Sequence, residues 1–334
     1  MKYLNKYLVV ILFFISSFAF SQEKTDFKSY DFNGFVQLNA RNNINNDVDF
    51  SVRRLKFWLK SNTYFSKHWS YKIQTVFCSN KPDKFNLEDV KVGYKVHLFS
   101  FEMGQLVPEY SLERFQSDYK LPIIERAEAV NVLIPDGTLG VRDLGIQMNY
   151  KSKDKHVEIH VGFFNGNGVK VYKFNNKGFL ITQKTALVFP LHNYKIKLGY
   201  SLAYRKADLL KIPKLLPSER LFSGSDFRYN FFVRCSSHKV SFQAEYLSAN
   251  LNGEVASGYY VLTALNIRKS QVMMSFEKYK SLIYGIADRP LYHLGYNYAL
   301  NGYKLKVFFD NSFQFADSRI VNYVASLQFQ IFFN

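Results

Sequence analysis

Beyond its first twenty or so residues, the chain has no apolar run approaching the roughly 18 residues that a membrane-crossing helix needs. Among its 334 residues are only two cysteines, Cys78 and Cys235. In the strand arrangement derived below they fall at opposite ends of a wall about 25 Å tall, so they cannot pair and are expected as free thiols. No serine, histidine and aspartate stand at a recognisable hydrolase spacing. No nucleic-acid-binding motif accompanies the basic excess, so nucleic acid is not an expected partner. The glycine-rich Asn165-Gly166-Asn167-Gly168 is followed by no helix that could hold a phosphate at its N-terminus, and reads as a loop. His156, Glu158 and His160 recur at every second residue. On a strand such residues stand about 6.6 Å apart, too far to share one metal ion, and make a polar stripe instead. Neither a catalytic residue nor a cofactor is expected.

What the chain does have begins with an export signal. Lys2 and Lys6 precede the apolar Leu8 to Ile15, and Ala19-Phe20-Ser21 supplies small residues for cleavage before Gln22. The residue directly after that cleavage point is Gln22 and not a cysteine, which argues against a lipid anchor. Removing residues 1–21 takes away Lys2, Lys6 and no acid, so the formal charge falls from +17 to +15. Aromatics are 18% of the chain, more than a soluble core needs but suited to girdles at two membrane interfaces.

The most telling stretch is the last, V-N-Y-V-A-S-L-Q-F-Q-I-F-F over residues 321–333. Every odd position is apolar, while Asn322, Ser326, Gln328 and Gln330 occupy even ones. Such alternation marks a strand with two unlike faces, and a soluble edge this long and apolar would aggregate. It fits the wall of a barrel, lipid on one face and water on the other, closing against the first strand. After a polar leader, residues 22–32, sixteen such segments can be marked between residues 33 and 333, within one domain spanning 33–334. Short and long gaps between them alternate, as periplasmic turns and extracellular loops do. Asn301-Gly302 signals a tight hairpin, whereas residues 251–256 and 312–317 read as longer loops. The longest gap, 106–139, holds Pro108, Pro122 and Pro135 yet is apolar at Leu121, Ile123, Ile124, Val130, Val132, Leu133 and Ile134. An insert of that kind reads as a loop folded inward to narrow the lumen. The expected fold is therefore an all-β transmembrane antiparallel barrel of about sixteen strands.

With Val36, Leu55, Ile73, Val92, Ile146 and Leu198 toward lipid, alternate positions face water. That register places Arg54, Lys56, Lys60, Lys72, Lys91, Lys95, Lys184, Lys195, Lys197, Arg205, Lys304 and Lys306 on the inner face, with Arg126 and Arg142 added by the insert. Inner-face acids, among them Asp89, Glu102, Glu158, Glu245, Glu277 and Asp310, are fewer. A basic lining is the usual construction of an anion pore, and its side chains are expected to stand in water. The expected solutes are small anions such as phosphate. A general, unselective pore is the nearest alternative, and an enzyme or adhesin on the same barrel the competing class.

Several fragments also carry a family likeness: the opening F-N-G-F-V-Q-L, Arg53-Arg54-Leu55-Lys56, Leu87-Glu88-Asp89, Val92-Gly93-Tyr94-Lys95, and Met103-Gly104-Gln105 with Pro108. Further along come Ser111-Leu112-Glu113, Ile124-Glu125-Arg126, Gly140-Val141-Arg142-Asp143-Leu144-Gly145 and Gly162-Phe163-Phe164-Asn165-Gly166. Over nearly the whole mature chain the sequence resembles the phosphate-selective porin O and P group. The resemblance implies a sixteen-stranded, usually trimeric, anion-preferring channel in the outer membrane of a Gram-negative bacterium, in contact with its lipid.

Overall fold

In the computed structural model, which describes residues 31–43, 48–79, 84–135, 141–168, 178–212, 214–283, 290–316 and 319–333, sixteen antiparallel strands close into one ring. The first five are β1 (Asp31–Asn43), β2 (Asp49–Thr63), β3 (Ser66–Cys78), β4 (Lys84–Val96) and β5 (Phe99–Leu106). After the insert come β6 (Asp143–Lys151), β7 (Val157–Phe164), β8 (Leu180–Leu191), β9 (Tyr194–Leu210), β10 (Phe222–Ser236) and β11 (Val240–Leu251). The ring ends with β12 (Glu254–Ile267), β13 (Ser270–Lys280), β14 (Leu291–Asn301), β15 (Leu305–Ala316) and β16 (Arg319–Phe333). Each strand pairs with its chain neighbours, and β16 closes on β1 from Gly34 opposite Phe333 to Asn43 opposite Val324. Closure leaves no strand edge unpaired, which is what a sheet inside a bilayer requires. The signal segment and most of the leader lie outside the described residues, but the leader's last two residues, Asp31 and Phe32, already belong to β1.

Cross-strand neighbours share a face, so the pairing shows which way each side chain points. Val36 stands opposite Leu55 and Gln37 opposite both Arg54 and Gln330. The outward set is apolar and exposed (Val92, Ile146, Leu198, Leu294, Leu327) and forms the lipid-facing belt. Aromatic pairs ring its two ends. Trp69–Tyr94 and Phe99–Tyr150 stand near the short turns; Phe276–Tyr292 and Phe313–Tyr323 stand near the opposite mouth. Cys78 at the end of β3 and Cys235 near the end of β10 are both free.

Three connections differ from the expectation. Only Asn252 and Gly253 separate β11 from β12, with φ of 53° and 95°. That left-handed pair is a tight primed turn, so the expected loop over 251–256 is absent. β15 runs on to Ala316 and β16 starts at Arg319, so the loop expected over 312–317 is mostly strand. The Asn301-Gly302 hairpin turns through three residues, Gly302 to Lys304, beside an irregularity between Ala299 and Asn301. Lys304 therefore sits in the turn and not on the inner wall.

The described part of the insert, residues 107–135 and 141–142, turns into the barrel. Its helix α1 (Glu128–Leu133) and two 3₁₀ turns, Glu113–Phe115 and Asp118–Lys120, lie against the inner faces of many strands. Ile123, Val130, Val132, Leu133 and Ile134 join one buried cluster with Leu180, Ala203, Leu247, Tyr260 and Met273 from β8, β9, β11, β12 and β13. On that side the inner face is a hydrophobic core. The sequence reading expected inner-face side chains to stand in water. Covered by the insert, Lys184, Arg205 and Lys306 are instead 3%, 1% and 8% exposed.

Candidate functional site

Opposite the insert's packed flank, a cavity runs along β2 to β7. Two irregularities in the strand ladder equip it. Between Gln37 and Leu38 the β1–β2 register shifts by one residue, so Arg53 and Arg54 both reach inward. Arg53 Nη1 donates to Gln37 Oε1 (2.9 Å) and Gln328 Oε1 (3.3 Å), and its Nε donates to Glu125 Oε1 at 2.8 Å. Arg53 Nη2 also donates to the carbonyl of Ile124. Between Ile73 and Thr75 the β3–β4 register shifts in the same way, and Glu88 and Asp89 both face the lumen. Glu88 meets Lys56 and Arg142, each at 2.8 Å, while Asp89 meets Lys72 (2.6 Å) and Arg142 (2.7 Å). Strict alternation would have turned one member of each pair toward lipid, where an arginine costs about 2–4 kcal/mol at the midplane. A bulge spares both.

The insert supplies the facing wall. Asp118 binds Arg126 (2.5 Å), Lys56 (2.7 Å) and Arg54 (3.6 Å). Burial alone would raise its pKa, but Arg54, Lys56 and Arg126 together hold it well below the usual carboxylate range. Glu125, paired with Arg53, is held down to about 2 against the same burial effect. Glu113, 1% exposed, shows the opposite balance: burial, with Glu245 nearby, pushes it up to about 8 despite Arg126. Arg114 sits among Arg126, Arg142 and Arg54; burial first, then those neighbours, bring it down to about 9, still charged at neutral pH. Among the described residues its guanidinium has no carboxylate or hydrogen-bond partner.

The cavity has a volume of about 700 Å³. It continues toward the short-turn end into a vestibule of about 490 Å³, sharing Lys60, Lys72, Lys91 and Glu102. Its charged lining comprises eight cations (Arg54, Lys56, Lys60, Lys72, Lys91, Arg114, Arg126, Arg142) and five carboxylates (Glu88, Asp89, Glu102, Glu109, Asp118).

Half of the fourteen residues singled out from sequence thus meet in one place: Arg54, Lys56, Lys60, Lys72, Lys91, Arg126 and Arg142. The other seven lie elsewhere. Lys184 Nζ donates to Glu109 (2.9 Å) and to the Ser111 carbonyl (2.7 Å), tying the insert to β8. Arg205 is locked to Asp226 at 2.8 Å and to the Gly166 carbonyl at 2.8 Å. Lys197 binds Glu158 at 2.6 Å near the turn end of β9, where Lys195 is exposed; Lys95 is exposed at the turn end of β4. Lys304 is in its turn, and Lys306 lies under the insert beside the Leu121 carbonyl. In the histidine stripe, Glu158 is taken by Lys151 and Lys197, and His160 Nδ1 stands 2.7 Å from Asn149 Oδ1.

Sequence reasoning missed Arg53, Arg114, Glu88, Glu109 and Asp118. For Arg53 and Glu88 there was a signal: two adjacent charges in one lipid-crossing strand call for a bulge. For Arg114, Glu109 and Asp118 there was none beyond their place in the insert.

A closed sixteen-stranded barrel with an inward insert and a charged, off-centre passage is an outer-membrane porin. The chain belongs to the family of phosphate-selective porins O and P, whose family model matches residues 28–267, ending with β12. No curated protein matches the sequence. Among solved structures, the barrel is similar to Pseudomonas putida OprB at high pH, with a TM-score of 0.67 and 13% identity over 91% of this chain and 94% of that one. In-vitro folded OmpT of Vibrio cholerae, a trimer form, gives 0.61 at 10% identity, covering 91% of this chain and 99% of its own. An anion-selective porin from Comamonas acidovorans also gives 0.61 at 10% identity, with 91% and 99% covered. At such identities the likeness is one of fold.

Proposed function

We propose that this porin lets small anionic solutes, phosphate among them, diffuse passively across the outer membrane, using no cofactor and carrying out no reaction. The observation that supports this reading most directly is the lining of the passage. Eight cations face five carboxylates there, and Arg114 is left without a partner among the described residues. A net positive lining between low-dielectric walls concentrates anions and repels cations. Tetrahedral oxyanions suit arginine and lysine donors arriving from several sides, as Arg114, Arg126 and Arg142 do.

The test is reversal potential across a planar bilayer in a KCl gradient. Wild type is expected on the anion side, and Lys60→Glu with Arg114→Glu moves the potential toward the cation side. A potential that stays put while conductance is intact would overturn the assignment. Inorganic phosphate should reduce the chloride current as it competes for the lining; a current indifferent to phosphate makes the pore a general one. The reading includes export by a signal cleaved before Gln22, which the N-terminal sequence of the membrane protein checks. It also includes a homotrimer, as in the OmpT trimer form, which cross-linking in native membranes checks.

A further inference from the structure

Phe115 stands where a pore for inorganic ions has no use for it. Of the large apolar side chains exposed among the described residues, it alone lines the passage, and it is 37% exposed. Phe164, Phe232, Tyr260 and Phe308, also turned inward, are buried. A phenyl ring has no donor for a hydrated inorganic ion, and its contact with water is unfavourable. The ring is also held still. The Lys184 ammonium sits 4.6 Å from its centroid, fixed in turn by Glu109 and the Ser111 carbonyl. The 3₁₀ turn that carries it is pinned on both sides. The Glu113 N–H donates to Glu245 at 2.6 Å, and the Gln116 side-chain amide donates to Gln243 at 2.7 Å. Beside Phe115 on that turn is Arg114, which lines the same cavity and whose guanidinium has no partner among the described residues.

The pairing of ring and cation recurs further along. Trp58 lies between Lys56 and Lys60 on the inner face of β2 and stacks on Tyr119 of the insert, with ring centroids 6.0 Å apart. Beyond it, Lys60 and Lys72 lead into the vestibule.

We propose that the passage is fitted to aromatic carboxylates, of which benzoate is the simplest. The carboxylate meets the Arg114 guanidinium, whose fork of N–H donors matches its two oxygens. The ring lies against Phe115 in the offset or edge-to-face manner of aromatic pairs. Trp58 and Tyr119, with Lys56 and Lys60 alongside, offer a second place of the same chemistry on the way to the vestibule. Because Phe115 is already held, little of the binding energy is lost to ordering it. This rests on the reading of the passage as an anion pore and names the class of anion that its lining favours.

The test is block of chloride current through the full-length protein in a planar bilayer at neutral pH, with benzoate, acetate and benzyl alcohol as probes. In wild type, benzoate should act at concentrations roughly tenfold or more below acetate, the ring supplying the difference. Benzyl alcohol, which has the ring without the charge, should act only at far higher concentration than benzoate. Phe115→Ala should remove most of the preference for benzoate over acetate, whereas Arg114→Gln weakens both acids together. Heat-modifiable gel mobility shows whether each variant is folded; if Phe115→Ala is not, the wild-type comparison still decides. Benzoate no more potent than acetate, benzyl alcohol as potent as benzoate, or a preference left intact by Phe115→Ala would overturn the inference. A wild-type reversal potential on the cation side would instead sink the anion reading beneath it.

Discussion

Glu113 carries a proton that an ordinary carboxyl would have lost. It is 1% exposed, its Oε2 accepts from the Ala127 N–H at 3.0 Å, and Glu245 receives the N–H groups of Leu112 and Glu113 nearby. With its folded-state pKa up at about 8, the native chain binds a proton that the unfolded chain releases from the usual carboxylate range upward. Its contribution to stability is complete below that range and is lost as pH rises through about 8. Open-channel current fluctuations should therefore grow in wild type between about pH 6 and pH 9, as the insert's anchor loosens, and should stay level in Glu113→Gln. A wild-type record indifferent to pH would dismiss the idea. Arg53 makes a different forecast. Its guanidinium joins β1, β2, β16 and the insert, so Arg53→Met removes several charge-assisted bonds, each worth about 1.5–3 kcal/mol when buried. The loss of folded mobility on gels should come at a clearly lower temperature than in wild type. Arg54→Met, whose ion pair with Asp118 spans 3.6 Å, should do much less.

At the level of elements, the described part of the insert is held by side chains from β10 round to β14 and pairs with no strand of the ladder. Glu245 of β11 binds Ser111, Leu112 and Glu113; Glu277 of β13 accepts from Ala129; Asn297 of β14 donates to the Pro122 carbonyl. Arg228 of β10 donates to the carbonyls of Leu133 and Ile134. Deleting residues 109–133 should leave a barrel that still closes. It should raise conductance and blunt anion preference by widening the passage: Glu109 and Asp118 leave with Arg114 and Arg126, so the net charge of the lining is unchanged, but its remaining charges act on a passing ion from farther away. A deletion variant that fails to fold in lipid would show that the insert is needed for closure. The strands themselves were legible because alternation is local, and β16 announces its inner and outer faces residue by residue. The insert's direction was readable from its apolar content. Its partners were not, since Ser111 and Glu245 lie far apart in the chain and only the closed ring brings them together. The bulges at Arg53 and Glu88 stayed hidden because the register had been inferred from the very alternation that they interrupt.

Taken whole, the molecule divides its lumen unevenly. From β8 round to β15 the inner face is packed against the insert, while β3 to β6 look across the cavity, and their inner side chains meet in charge pairs such as Lys72–Asp89 and Lys91–Glu102. Deuterium uptake by backbone amides should accordingly be faster in β4 and β5 than in β11 and β12, since opening free energy follows the buried contacts that must be broken. Equal protection around the ring would contradict this. The mechanical corollary is that the wall resembles an arch propped from within along one flank only. Squeezed by the lateral pressure of a crowded bilayer, it would flatten on the unpropped arc, beside the passage. The width of that passage is then expected to follow membrane tension, through the shape of β3 to β6.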